Sequence, residues 1–399
     1  MKNKFSDSIK YLTAGDIGHC FLFLLVLPVA LVAKIFIRNF WLVCEDRNEA
    51  RDNGYHFFRW VRANRPKQKI AYAINKQSPD YQKVKDIGKV ISYGTLSHWF
   101  WYIVADRNIS SQKGGKPNAA VCYLLEVVFK LRKNNRVFLQ HGVIINRLDW
   151  LFYNDTYMRL FITSALDEQE YVSTQFGYPA GYVQLLGLSR FDSLSLDERD
   201  EKIILVMPTW RNWLGRASSE NKDLDFTATE YYKKWSEFIA DKRLAQALEK
   251  HGTTLIFYPH RNMQKFIGHF VSDSNRIVIA DWKTYDIQTA LKQASLMITD
   301  YSSVFFDFSY MRKPVLFYQF DEEEFRARQY GQGYFDYKNT VLGKWTDDKD
   351  KLVDMIEESM SNGNPLLDER TVEKFFPYID TKNSERIYES ITNLNKKQK

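Results

Sequence analysis

Cysteine is scarce. The 399 residues hold 3, Cys20, Cys44 and Cys122, with no Cys-x-x-Cys pair and no close histidine, so neither a disulfide framework nor a zinc centre is indicated and a reducing compartment fits. A Walker A loop and a G-x-G-x-x-G turn are both missing, which excludes the P-loop and the dinucleotide fingerprint. Internal repeats and low-complexity tracts are absent too. Charge is absent from Cys20 to Ala33, fourteen residues with Pro28 in the middle. A spanning helix needs about 20 apolar residues, and no small-residue cleavage site follows. The expectation is a helix lying in the membrane interface, with Phe21, Leu24, Leu25 and Leu27 entering the acyl boundary and Lys2, Lys4, Lys10, Lys34 and Arg38 meeting anionic headgroups. A buried core helix and a tilted transmembrane anchor are the alternatives.

Aromatic residues are plentiful, at 16% of the chain, and suggest large apolar clusters or an interfacial surface. The formal net charge of +7 favours an anionic partner, whether nucleotide, phospholipid or nucleic acid. At this length two α/β domains are expected. Short apolar runs at Phe40–Val43, Ile70–Ile74, Val90–Ser92, Val137–Leu139, Leu160–Ile162 and Val183–Leu186 alternate with helical stretches such as Tyr55–Ala63, as a doubly wound sheet requires. Gly187–Lys202 lacks an apolar period and reads as the linker. A second α/β unit runs from Ile203 through Val315–Tyr318, and the chain is expected to be helical from Val372 to its basic end. The reading is a membrane-associating segment at 1–38, an acceptor domain at 39–195, a nucleotide-binding domain at 196–375, and a C-terminal helix and tail at 376–399.

Four strand-like runs stop at polar clusters. Arg136–Leu139 ends at Gln140-His141-Gly142, Ile203–Met207 at Pro208-Thr209-Trp210-Arg211, Leu255–Tyr258 at Pro259-His260-Arg261, and Leu296–Ile298 at Thr299-Asp300-Tyr301-Ser302-Ser303. Ligands of open α/β sheets bind outside the carboxyl ends of the strands, so these endings are the candidate site. Ser302 and Ser303 are expected where the helix Val304–Tyr310 leaves its first N–H groups unpaired, a place suited to phosphate. Imidazole titrates near neutrality, so of His141 and His260 one ring can take a proton from a hydroxyl while the other stabilises a phosphate oxygen. Gly142 allows a substrate close to the backbone. Arg211 and Arg261 match phosphate oxygens with their guanidinium forks, and Thr209 donates to a third oxygen. Trp210 either stacks on a base or packs. Asp300 orients the serine turn, and Asp307 either reaches a ribose hydroxyl or solvates its helix. Asp223-Leu224-Asp225 matches D-x-D, but such a triplet is expected by chance, and no metal or other cofactor is implied.

Taken together, these four clusters in this order and spacing resemble the CDP-glycerol glycerophosphotransferase family of teichoic-acid and capsule synthesis, over about residues 20–380. Arg47–Gly54 with the apolar N-terminus resembles its short, membrane-associated members. The resemblance implies a GT-B-like arrangement of two Rossmann-like domains facing across a cleft, and a CDP-alditol held mainly by the second domain. It implies that His141 and His260 are essential and that Ser302 and Ser303 meet the pyrophosphate. The expected activity moves glycerol phosphate, or a related alditol phosphate, from its CDP form to a hydroxyl of a lipid-linked saccharide or growing polymer, releasing CMP at the cytoplasmic face of the membrane. The alternatives are a GT-B glycosyltransferase using a nucleotide sugar, and a non-catalytic basic binder of membrane or nucleic acid.

Overall fold

The computed structural model describes residues 12–131, 135–194, 198–215 and 225–396. Lys2, Lys4, Lys10, Asp223 and Leu224 lie outside the described residues. Two compact units emerge, the first comprising residues 1–143, 148–193 and 380–399, the second residues 144–147 and 194–379.

In the first unit, β1 (Phe40–Cys44), β2 (Lys69–Ile74), β3 (Val90–Ser92), β4 (Arg107–Ser110), β5 (Arg136–Phe138), β6 (Leu160–Thr163) and β7 (Val183–Leu185) form one sheet. All pairings are parallel, in the order β3-β2-β1-β4-β5-β6-β7. Strand order reverses between β1 and β4, the crevice where such sheets bind ligands. The two-residue period of β1 sends Trp41 and Val43 into one core layer, with Phe57, Phe58 and Tyr72, and Phe40 and Leu42 into the other, with Trp99 and Tyr102. The helices of this unit include α2 (Asn53–Asn64), α3 (Leu96–Val104) and α4 (Leu166–Gln175), with α1 (Ala14–Phe36) packed on α3.

At 23 residues, α1 is longer than its charge-free run, because Thr13 and Asp16 form a capping box that starts it earlier. Length and composition alone would let it cross a membrane. One side packs through Phe23, Val26, Leu27 and Ala30 onto Phe100, Trp101, Ile103 and Val104, and Lys34 Nζ donates to the Ile103 carbonyl at 3.0 Å. The opposite side leaves Phe21, Leu24, Leu25, Val32 and Phe36 exposed. Leu27 thus belongs to the packed side, not to the exposed one that was expected to hold it.

In the second unit, β8 (Ile203–Met207), β9 (Thr254–Phe257), β10 (Ile277–Ile279), β11 (Leu296–Thr299), β12 (Val315–Tyr318) and β13 (Gly343–Thr346) pair in parallel in the order β10-β9-β8-β11-β12-β13. The reversal falls between β8 and β11. Around the sheet lie α5 (Glu230–Ile239), α6 (Lys242–His251), α7 (Ile287–Gln293), α8 (Phe305–Tyr310), α9 (Glu322–Arg328) and α10 (Lys349–Ser361). Trp235, Phe238, Leu244, Leu248, Tyr318 and Ile356 fill the core. The last helix, α11 (Asn383–Lys396), returns to the first unit, where Ile387, Ile391 and Leu394 join Trp41 and Phe57. The expected C-terminal helix is therefore interrupted: a short turn at Glu369–Glu373 precedes α11, whose start is held by Asp192 accepting from the Asn383 and Ser384 N–H groups.

Candidate active site

Beyond β5 the chain turns through Gln140, whose φ of 66° puts it in the left-handed region. That conformation is uncommon for a residue with a Cβ, and three contacts hold it. Gln140 Nε2 donates to Glu168 Oε1 at 2.7 Å, Asn53 Nδ2 donates to the Gln140 carbonyl at 2.8 Å, and the following imidazole meets Asp52. His141 Nδ1 lies 2.6 Å from Asp52 Oδ2, and the side chain is 72% exposed, so its Nε2 edge is open to an incoming hydroxyl. Asp52 is the N-cap of α2, with Oδ1 accepting from the Asn53 N–H at 2.8 Å and from Arg190 Nη1 at 2.9 Å. Arg190 Nη1 donates to the His141 carbonyl as well. The Asp52 carboxylate raises the imidazole pKa above its ordinary value, outweighing the opposing charge of Arg190. Gly142, half-buried, follows in the same turn.

At the β8/β11 crevice of the second unit, Arg211 is buried between two carboxylates. Its Nε and Nη2 reach both oxygens of Asp321 at 2.7 and 2.9 Å, Nη2 reaches Asp300 Oδ2 at 2.9 Å, and Nη1 donates to the Thr209 carbonyl at 2.9 Å. Burial alone would lower its pKa, but the two carboxylates raise it, so the guanidinium stays charged. The side chains of Arg211 and Asp300 are both 0% exposed. The expected fork on a phosphate is thus turned onto protein carboxylates, and Arg211 braces the strand ends. Asp300 does orient the serine turn: Oδ1 accepts from the Thr209 N–H at 2.8 Å and from the Tyr301 N–H at 2.7 Å. Thr209 is 7% exposed, and its hydroxyl has no hydrogen-bond partner among the described residues.

Ser302 and Ser303 sit half-buried just ahead of α8, which begins at Phe305 and is one residue shorter at its start than expected. The Ser302 hydroxyl already accepts the Val304 N–H at 3.3 Å, which tightens the turn before the helix proper. Asp307 lies inside α8 at 1% exposure, so it solvates no helix face. His260 follows β9, and its N–H donates to the Pro208 carbonyl at 3.1 Å. Its Nδ1 accepts the Asn262 N–H at 3.2 Å, and its ring stacks on Trp210 with centroids 6.0 Å apart. Arg261 is exposed, its guanidinium 4.8 Å from the centre of the Trp282 ring. Asp225, the described residue of the D-x-D triplet, caps a 3-10 turn by accepting from the Thr227 N–H.

The two histidines therefore have opposite partners at Nδ1. A carboxylate there requires a proton on Nδ1 and leaves the Nε2 lone pair as a base; a donated backbone N–H requires the Nδ1 lone pair and puts the proton on Nε2 as a donor. Arg190 and Asp321 were not singled out in sequence, and Asp52 was read only as part of the stretch Arg47–Gly54, with no role of its own. Asp321, three residues past β12, follows the strand-end rule that found the others.

Over 379 residues the chain is 30% identical to the minor teichoic acid biosynthesis protein GgaB of Bacillus subtilis (strain 168), covering 91% of this chain and 41% of that protein. It is 27% identical over 196 residues to a teichoic acid glycerol-phosphate transferase of Staphylococcus aureus (strain NCTC 8325 / PS 47), covering 48% and 45%. The chain thus spans less than half the length of these curated relatives. In fold it is similar to the wall teichoic acid polymerase TagF, with a TM-score of 0.62 at 14% identity over 96% of this chain and 99% of that one. A variant of that polymerase soaked with CDPG gives a TM-score of 0.63 at 15% identity, covering 96% and 98%. Residues 188–393 match the family model described as CDP-Glycerol:Poly(glycerophosphate) glycerophosphotransferase. With more than half of the chain matched, including His260 and the serine turn, the protein belongs to the CDP-glycerol:poly(glycerophosphate) glycerophosphotransferase family.

Proposed function

We propose that this protein transfers glycerol phosphate, or a related alditol phosphate, from a CDP-alditol to a hydroxyl of a lipid-linked saccharide or growing teichoic-acid or capsule polymer. The neutral His141 takes the acceptor proton at Nε2 as the acceptor oxygen bonds to the phosphorus that carries the alditol. The bond from that phosphorus to the bridging oxygen breaks, and CMP leaves with that oxygen. His260, with its proton on Nε2, donates to a phosphate oxygen and stabilises the developing charge. The observation that carries this division of labour is the pair of opposite Nδ1 partners, Asp52 Oδ2 at 2.6 Å and the Asn262 N–H at 3.2 Å.

Donor binding is assigned to Thr209, Ser302, Ser303 and Arg261 by direct contact, with Gly142 beside the acceptor. Arg211 and Asp300 act by holding Thr209 and the serine turn in place. Attachment to the cytoplasmic face of the membrane is assigned to α1, lying flat. Its packed inner side and apolar outer side suit a helix half-embedded in the interface. The test is a donor screen with a short lipid-linked acceptor, scoring CMP release. CDP-glycerol or CDP-ribitol should be consumed, whereas turnover of a UDP-sugar and of neither CDP-alditol would sink the proposal in favour of a glycosyltransferase.

A further inference from the structure

We propose that Asp52 is a positioning residue for His141, its carboxylate holding the imidazole in the form protonated on Nδ1 with the Nε2 lone pair turned outward. The inference rests on the reading of His141 as the base and adds what makes it one.

Asp52 does more than a helix cap needs. A cap requires one side-chain oxygen near the first N–H groups of the helix. Here Oδ1 accepts from the Asn53 N–H at 2.8 Å and from Arg190 at 2.9 Å, which leaves Oδ2 to the imidazole at 2.6 Å. Its side chain is 13% exposed, so its placement is enforced by packing as well as by hydrogen bonds. The same residues grip the backbone of the strand-end turn. Arg190 donates to the His141 carbonyl, the Arg190 N–H donates to Asn53 Oδ1 at 3.0 Å, and Asn53 Nδ2 donates to the Gln140 carbonyl. Ring and main chain of His141 are thus fixed by one set of contacts.

The charged groups facing the imidazole are Asp52, Arg190 and, behind Asp52, Glu45. Glu45 is buried and accepts from the Gly54 N–H at 2.6 Å, the Ser111 hydroxyl at 2.7 Å and the Tyr72 hydroxyl at 2.5 Å. Those contacts pin the start of α2 rather than touching the ring. Burial and the charge of Asp52 push the Glu45 carboxyl up to about 7. Arg190 opposes protonation of His141, and Asp52 favours it more strongly. When the acceptor proton reaches Nε2, the imidazolium is stabilised by Asp52, which stays ionised throughout.

The experiment uses the full chain labelled with nitrogen-15 at histidine. In the wild-type protein, the neutral His141 ring should carry its proton on Nδ1 and titrate above the ordinary imidazole value near 6.5. Asp52→Asn keeps a good cap and removes the charge, and the midpoint should fall to 6.5 or below. Turnover should drop by about two to four orders of magnitude, with the donor KM within about twofold and the acid limb of the pH–rate profile moving down with the ring. Asp52→Ser, a second good cap, should shift the midpoint in the same direction if the asparagine variant folds poorly. An Nε2–H form in the wild-type protein, or an unmoved midpoint in a folded variant, overturns the proposal. The ring measurements need no turnover, so a failed donor screen would remove the assigned reaction and leave the pairing of Asp52 with His141 to stand or fall by itself.

Discussion

Replacing Arg211 by methionine removes the guanidinium that stands between Asp300 and Asp321 and leaves a side chain of similar length behind. Little cavity is created, so the cost is electrostatic. Removing one partner from a buried ion pair costs about 3–5 kcal/mol. The same figure follows from the alternative in which one aspartate takes up a proton: holding a carboxyl neutral at pH 7, about three units above its ordinary value, costs about 4 kcal/mol at 1.36 kcal/mol per unit. Domains have about 5–15 kcal/mol to lose, so the crevice between β8 and β11 should open far more often. Hydrogen exchange in peptides covering the two strands reads that opening locally and needs no two-state assumption for a chain of two units. Protection should fall by roughly two to four orders of magnitude at pH 7, at about tenfold per 1.36 kcal/mol. The loss should shrink toward pH 4, because a carboxyl whose folded pKa is raised loses its disadvantage as it protonates. Wild-type protection combined with a raised donor KM would refute this reasoning and return Arg211 to the phosphate.

His141→Ala and His260→Ala should each lower turnover by about two to four orders of magnitude while the melting profile is kept; near-normal turnover at saturating donor would make that histidine structural. Ser302→Ala with Ser303→Ala should raise the donor KM more than it lowers kcat, as expected when a ground-state phosphate contact is lost, and calorimetry showing unchanged CDP affinity would move the nucleotide elsewhere. Phe21→Ser, Leu24→Ser and Leu25→Ser together change exposed side chains of α1, so the melting temperature should hold while binding to anionic vesicles falls at least a hundredfold, each full insertion being worth about 1.5–3 kcal/mol. If alkaline carbonate fails to extract the wild-type chain from membranes, α1 spans rather than lies flat.

The strands most directly legible in sequence are those whose side chains are apolar in both directions. β1, with all five residues buried, and β11 and β12, with all four, read directly as fully covered parallel strands. β4 did not, although it lies at the centre of its sheet between β1 and β5. Its sequence is Arg-Asn-Ile-Ser, and its polar groups are buried by local hydrogen bonds, Asn108 to the Tyr102 carbonyl and to Asn135, Ser110 to the Gln112 carbonyl. A strand that buries polar side chains against its neighbours has no hydrophobic signature. β10 and β13, edge strands of three and four residues, were not read either, although β3 and β7, edge strands of three residues, were.

The site divides along the same physical line. His141, His260, Thr209 and the serine turn were legible because each follows an apolar run, and a parallel strand delivers whatever follows it to one edge of the sheet. The state of each residue there was not legible, because it is set by partners distant in sequence. Asp52 stands 89 residues before His141, and Asp321 stands 110 after Arg211. Arginine in a strand-end motif reads as a phosphate fork until burial is known; two carboxylates within 3 Å of a fully buried guanidinium turn it into a brace. A histidine likewise reads as an acid or a base alike until its Nδ1 partner is known. A strand-end motif marks where chemistry is delivered, and the folded contacts behind it decide which chemistry that is.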